Sequence, residues 1–162
     1  MRIYKIAQFL DSLVKQYSVD PESVPVKGWV GRVMFHGTSK EGAQDIMNSG
    51  IDNSKSQKGY FGRGFYMASD YDLAKGNYAD WAEEDEEGSV LVVKISEGAN
   101  ILDLRDSEDS EVYSRVSEHG RLCGRDDFDL IMTTNGIDGL FDRSFGGIVI
   151  YDPSVLTVLG VA

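Results

Sequence analysis

The chain has 162 residues, 41% of them hydrophobic, which is enough for one domain with a sizeable core. Acidic residues outnumber lysine plus arginine by 27 to 16, giving a net charge of −11. Such a charge repels a phosphate backbone, so general nucleic-acid binding is disfavoured. A local cationic patch at Lys55, Lys58 and Arg63 still has the right size for a dinucleotide.

The cysteine content and the apolar runs predict a cytoplasmic protein without metal or membrane contact. Cys123 is the single cysteine, so no internal disulfide can form, and no His or Cys partners lie at zinc-ligand spacing. No apolar run approaches the roughly 20 residues of a membrane span. Asp11 lies where a signal peptide needs its apolar centre.

The first part of the chain reads as helix, strand and helix. Apolar residues three and four apart predict a helix over residues 4–17, which we expect to pack rather than catalyse. An apolar run predicts the first strand over 30–35, which places His36 where that strand ends. A short helix is predicted over 40–48, ended by Gly50 in a left-handed cap.

The rest of the chain mixes strands and helices irregularly. Residues 54–64 contain three glycines and no core pattern, which predicts a mobile loop. Asp70 is a good N-cap for a helix that reaches Trp81, and the acidic run 83–87 is expected to be a solvated helix end. The remaining predictions are strands at 90–95, 99–104, 139–141, 148–151 and 155–159 and helices at 109–118 and 127–134. This pattern predicts a single α+β domain over residues 1–162.

Three motifs occur in a fixed order: Phe35-His36-Gly37-Thr38, a Gly-Arg-Gly-Phe-Tyr-Met-Ala-Ser segment at 62–69, and Tyr78 after it. Together they resemble the ADP-ribosyltransferases of the diphtheria-toxin and poly-ADP-ribose polymerase class, nearest to small phage and bacterial members. The closing Ile-Val-Ile-Tyr-Asp-Pro at 148–153 is similar to that family's last strands, so the resemblance spans residues 33–159. It implies two packed antiparallel or mixed sheets that form an NAD cleft with flanking helices.

The resemblance implies that NAD is the substrate and that its contacts come from a defined set of residues. These are His36, Gly37, Thr38, Gly64, Phe65, Tyr66, Ser69 and Tyr78. The nicotinamide must be held bent over its ribose so that the bond between them can stretch toward an oxocarbenium-like state. No Gly-x-Gly-x-x-Gly follows the first strand, so the usual dinucleotide fold is not expected.

Each contact has its own chemistry. We expect His36 to donate a ring N–H to a ribose hydroxyl while a backbone partner fixes its other nitrogen. The backbone N–H and C=O of Gly37 are expected to pair with the nicotinamide carboxamide, next to the start of a turn at Thr38. Tyr66 and Tyr78 would sandwich the nicotinamide ring, and Ser69 would add a hydrogen bond to the carboxamide.

The catalytic acid departs from the family pattern. Related transferases place a glutamate just before the penultimate strand, where it steadies the positive charge that develops on the ribose, but this chain has Gly147 there. Asp142 is the first candidate to replace it, the alternative being a surface salt bridge with Arg143. Asp138 is the second candidate, although aspartate in such a turn is more often structural.

These residues predict a mono-ADP-ribosyltransferase with His36, Tyr66 and Asp142 as catalytic residues. Small relatives include toxins and anti-defence effectors that modify a host protein, and the acidic surface favours a basic target protein. Two alternatives remain: a degenerate fold that binds NAD, ADP-ribose or a protein without catalysis, for which Gly147 is the main support, and hydrolysis of NAD without an acceptor.

Overall fold

The computed structural model describes residues 2–56, 58–79, 88–118 and 125–162. Within these ranges the helices are α1 (Arg2–Tyr17), α2 (Lys40–Ser49), α3 (Tyr71–Ala79), α4 (Ser107–Val116) and α5 (Phe128–Thr134). The strands are β1 (Val33–Ser39), β2 (Lys58–Gly59), β3 (Gly62–Arg63), β4 (Phe65–Ala68), β5 (Gly88–Ile95), β6 (Ile101–Asp103), β7 (Gly139–Asp142), β8 (Gly147–Ile150) and β9 (Leu156–Val161). The predicted α+β class is confirmed.

Seven of the strands form one open sheet, in the order β6-β7-β8-β4-β1-β5-β9, and β2 pairs with β3 in a separate short hairpin. The predicted pair of packed sheets is therefore wrong. The neighbours are antiparallel except β6 and β7, which run parallel. The sheet divides into two parts, β6-β7-β8-β4 and β1-β5-β9. They are joined only weakly, because β1 and β4 share the single pair Phe35 and Ala68.

The two faces of this sheet carry different cores. On the first face, Met34, Phe65, Met67 and Leu91 pack in one cluster with Ala43 and Ile46 of α2. The second face carries two clusters. One lies over β6, β7 and β8 with residues from α4 and α5, and the other lies over β1 and β5 with residues from α1 and α3. The boundary between these two clusters coincides with the weak junction of β1 and β4.

Local sequence signals set several helix ends. Ser39 caps α2 by accepting from the Gly42 N–H at 2.8 Å, and Gly50 ends this helix with a φ of 84°. Asp70 caps α3 as predicted, accepting from the Leu73 N–H at 3.0 Å. Trp81, the acidic run 83–87 and Cys123, on which the sequence also gave predictions, lie outside the described residues.

Two boundary predictions need correction. β1 begins at Val33 and ends at Ser39, so His36 is the fourth of seven strand residues rather than the residue after the strand. The strand continues through Thr38 because all seven residues pair with β5, and no turn starts there. The predicted loop 54–64 contains the β2–β3 hairpin, which is too short for any periodicity to show.

A buried ionic network joins the segment before β1 to β6. The carboxylate of Asp103 is fully buried and accepts from the Trp29 indole N–H and the Lys27 backbone N–H, both at 2.9 Å. Arg105 pairs with both carboxylate oxygens, at 3.0 and 2.7 Å, and its guanidinium lies 4.6 Å from the Phe141 ring centroid. This network fixes the connection that leads into β1.

Neither a membrane span nor a metal cluster is found in the described part of the chain. No described helix has both the length and the apolar character needed to cross a bilayer. No three His, Cys, Asp or Glu side chains of the described residues are grouped where they could bind a metal ion.

Candidate functional site

The central feature of the site is an opening in the sheet between β1 and β4. We define the opening by residues 37–39 of β1, by Gly64 and by the first two residues of β4, Phe65 and Tyr66. The next hydrogen-bonded pair after Phe35 and Ala68 would join Gly37 to Tyr66, but the ladder between these strands contains no such pair. The strands therefore separate at the position where the His-Gly motif lies.

The register of β1 fixes where the peptide groups of Gly37 point. Ile95 donates its N–H to the Arg32 carbonyl, so alternate residues from Arg32 onward share hydrogen bonds with β5. Val90, which is opposite Gly37, instead accepts from the Ala162 N–H on the far side of β5. Gly37 therefore directs its N–H and C=O away from β5 and into the opening.

The imidazole of His36 takes the place of the missing ladder pair. Its Nδ1 lies 2.6 Å from the Tyr66 carbonyl oxygen, and its ring stacks on Phe65 with centroids 3.9 Å apart. The expectation that a backbone partner fixes one ring nitrogen is thus met. No partner of Nε2 is found within the described part of the chain.

The protonation state of His36 follows from this contact. A carbonyl can only accept, so Nδ1 carries the proton. Burial lowers the pKa of His36 from 6.5 to about 4, so the ring is neutral at physiological pH and Nε2 is an acceptor. The sequence-based expectation that His36 donates to a ribose hydroxyl is therefore corrected: Nε2 can accept a hydrogen bond from that hydroxyl.

We expect the stability of the protein to fall between pH 6.5 and pH 4 because of His36. The unfolded chain binds a proton at this residue below its ordinary pKa, whereas the folded protein does so only near pH 4, so acidification favours unfolding. The shift corresponds to a loss of about 3 kcal/mol across this window. Urea unfolding of wild type and His36→Gln at several pH values measures it, and an equal slope in both proteins would contradict it.

Tyr66 lies on the other side of the opening from His36. Its side chain packs with the second-face cluster, whereas His36 stacks on Phe65 of the first face. The Tyr66 hydroxyl donates to the Gly62 carbonyl at 2.7 Å, and burial raises the pKa of Tyr66 to about 12. Tyr66 therefore remains protonated and offers an aromatic ring rather than an acid or a base.

Three other predicted contact residues lie around the opening. Thr38 is partly buried in β1, directly before the residue that caps α2. Gly64 lies against β8, because a Cβ there would come within 2.5 Å of Val149. The Phe65 ring stacks on the His36 ring. Tyr78 belongs to α3, and its side chain lies outside the described residues.

Ser69 does not reach the opening. Its side chain is fully buried, and its hydroxyl donates to the Val19 carbonyl at 2.8 Å. The Ser69 carbonyl in turn accepts from the Val19 N–H. Ser69 thus fastens the chain after α1 to the end of β4, and its predicted contact with the carboxamide is corrected.

The position of the expected glutamate is filled. A Cβ on Gly147 would lie 2.6 Å from the Met67 carbonyl and 3.2 Å from the Phe145 ring, so no larger residue fits without movement. The Phe145 ring also contacts the rings of Tyr66 and Phe61, at centroid distances of 5.9 and 5.5 Å. An apolar ring therefore lies against the position at which the resemblance implies a carboxylate.

The two candidate acids have structural partners. Asp142 of β7 is in register with Gly147 of β8, Ala68 of β4 and Phe35 of β1, each strand pairing with the next. Three strand spacings therefore separate β7 from β1, a distance of about 14 Å. Its carboxylate accepts from the Ser144 hydroxyl, while Arg143 pairs with Glu22 at 3.0 Å. Asp138 accepts from the Asn100 N–H at 2.8 Å. The structure does not bring Asp142 to His36, so the catalytic role of Asp142 stays an unsupported prediction.

Fold and site together define an α+β protein with an opening between two halves of one sheet. No protein-family model matches the chain, and no curated protein is significantly similar to it. The residues of the opening are therefore the basis for proposing a function.

Proposed function

We propose that this chain is an NAD-dependent mono-ADP-ribosyltransferase that binds the nicotinamide end of NAD in the opening between β1 and β4. The observation that carries the proposal is that the N–H and C=O of Gly37 have no ladder partner on β4. The His36 ring occupies the Tyr66 carbonyl with which Gly37 would pair. A peptide N–H beside a C=O matches the acceptor and donor of a primary carboxamide. The resemblance of the three motifs to ADP-ribosyltransferases favours the same ligand.

The positions of three residues suggest how the ligand is oriented. Gly37 lies between the two faces of the sheet and pairs with the carboxamide. Tyr66 stacks on the nicotinamide ring from the second face, a contact that contributes about 1 kcal/mol beyond burial. On the first face, the Nε2 of His36 accepts from a ribose hydroxyl. Together these contacts hold the ring and the ribose at a fixed angle.

Such an arrangement assists the cleavage of the bond between C1′ of the ribose and the pyridinium nitrogen. The electron pair of this bond goes to nicotinamide, which leaves as a neutral molecule, and C1′ develops positive charge until the acceptor attacks. A neutral His36 places a lone pair rather than a charge next to the ribose. Chain elongation is not expected, because Gly147 supplies no carboxylate to activate a second ribose.

The acidic surface suggests a basic target protein. With a net charge of −11, attraction speeds the encounter with a basic partner, and this attraction weakens as salt is added. We expect the rate of target labelling to fall about tenfold or more between 50 and 300 mM salt. Single-turnover labelling at several salt concentrations measures it, and a salt-independent rate would exclude electrostatic steering.

A specific observation favours a second function, binding of NAD or ADP-ribose without transfer. The Phe145 ring lies against Gly147, where the resemblance implies an acid, and Asp142 accepts from Ser144 on a strand that is not adjacent to β1. A chain with the opening but without a carboxylate could hold the ligand and leave its glycosidic bond intact.

Labelled NAD separates the two functions. We expect purified protein to transfer label from NAD to a protein band in a host lysate, with loss of transfer in His36→Ala. Asp142→Asn should retain transfer within about tenfold, because Asp142 lies three strands from β1 in the sheet. Binding of NAD without any transfer would favour the second function, and neither binding nor transfer would exclude both.

A further inference from the structure

We infer that the turn at residues 143–146 is a cover over the nicotinamide end of the site, latched by the ion pair of Arg143 and Glu22. This inference rests on the proposed function. Tyr66 can stack on a ligand ring only if space beside its own ring is open, and Phe145 now occupies part of that space.

The packing of Phe145 carries the first step. Phe145 and Tyr66 both pack against the second-face cluster, and their rings meet at 66° with centroids 5.9 Å apart. At this separation no third ring fits between them. The Phe145 ring also covers Gly147, where a Cβ would lie 3.2 Å away. Phe145 must therefore move before a nicotinamide ring can stack on Tyr66 from this side.

We expect the turn that carries Phe145 to move as a unit. It connects β7 to β8 through four residues, and Gly146 has a φ of 65°, which a glycine adopts without strain. Ser144 donates to Asp142, the last residue of β7, and the Gly146 N–H donates to the Arg143 carbonyl. Both contacts are confined to residues 142–146, so they can persist when the turn swings outward about its junction with β7.

Besides the packing of Phe145 on Tyr66 and Phe61, an ion pair ties the turn to the segment before β1. Arg143 Nε donates to Glu22 at 3.0 Å, and both side chains are more than half exposed to solvent. An exposed pair of this kind is weak and sensitive to salt. It biases the cover toward the closed form without preventing opening.

Three ligands and two variants test the cover. Loss of the latch in Arg143→Gln should tighten NAD binding about two- to fivefold, and Phe145→Ala should tighten it about tenfold. ADP-ribose lacks the nicotinamide ring, so its affinity should not change in either variant, whereas free nicotinamide should follow NAD. Calorimetry gives all three affinities.

Hydrogen exchange and a matched variant complete the experiment. Exchange of the amides at 143–146 should accelerate in Arg143→Gln. This substitution leaves the aromatic packing intact, so it still tests the cover if Phe145→Ala loses stability. Lys15→Gln removes the same charge and breaks the exposed pair with Asp11, so it serves as the control. Unchanged or weaker NAD binding with a loosened turn would overturn the cover. Failure of wild type and both variants to bind NAD would overturn the proposed function, and the cover with it.

Discussion

Replacing Asp103 with alanine is expected to destabilise the protein by about 3–5 kcal/mol. The substitution leaves the Arg105 guanidinium buried without its carboxylate, since the Arg105 side chain is only 7% exposed. It also removes the acceptor of the Trp29 indole N–H and of the Lys27 backbone N–H. Lys27 has a φ of 64°, a conformation that this hydrogen bond helps to hold. Urea unfolding measures the loss.

Asp127→Ala is the matched control for this experiment. Its pair with Arg125 has a distance of 2.8 Å, but both side chains are exposed, so a change below about 1 kcal/mol is expected. A similar small change for Asp103→Ala would contradict the assigned importance of the buried network.

The same network predicts instability in acid, in a lower pH range than that of His36. Burial alone would raise the pKa of Asp103, but the hydrogen bonds from Arg105, Lys27 and Trp29 outweigh it and lower the pKa. The unfolded state then binds the proton more tightly, so stability falls as the pH drops below about 4 through the folded-state pKa.

His36→Ala is expected to weaken NAD binding about 100-fold or more while the fold persists. Without the imidazole, the Gly37 N–H can reach the Tyr66 carbonyl and add the next pair to the β1–β4 ladder. The opening would then close, and the carboxamide site would be lost together with the acceptor Nε2. Calorimetry with NAD measures the affinity, and thermal unfolding checks the fold.

Two variants bracket this result. His36→Gln can still donate to the Tyr66 carbonyl and should lose less affinity, about tenfold. Thr157→Ala, at an exposed position of β9, should bind as wild type does. Equal affinity in wild type and His36→Ala would remove His36 from the site.

The sequence predicted most elements because their signals are local. The helical periodicity of residues 4–17, the cap at Asp70 and the apolar run before Ile95 each depend on neighbouring residues. The single sheet was missed because it depends on one pair between Phe35 and Ala68, residues far apart in the chain. No periodicity reports such a pair.

The candidate site was predicted only in part, because some of its features are local in sequence and others depend on the fold. His36 and Gly37 were found because a short motif places them, but the direction of the Gly37 peptide groups required the β5 register. Ser69 lies one residue after β4, and only the fold shows that its hydroxyl reaches Val19. The sequence showed that residue 147 is a glycine and not an acid, whereas the position of the Phe145 ring against Gly147 required the three-dimensional structure.

Nuclear magnetic resonance of the Gly37 amide during a titration with NAD is the most direct test of the central claim. In the free protein this amide should exchange rapidly with solvent, because it faces the opening without a ladder partner. With NAD it should show one of the largest shift changes in the chain and become protected, as the carboxamide accepts its hydrogen bond. A protected Gly37 amide before NAD is added, or one that NAD leaves unchanged, would contradict the account.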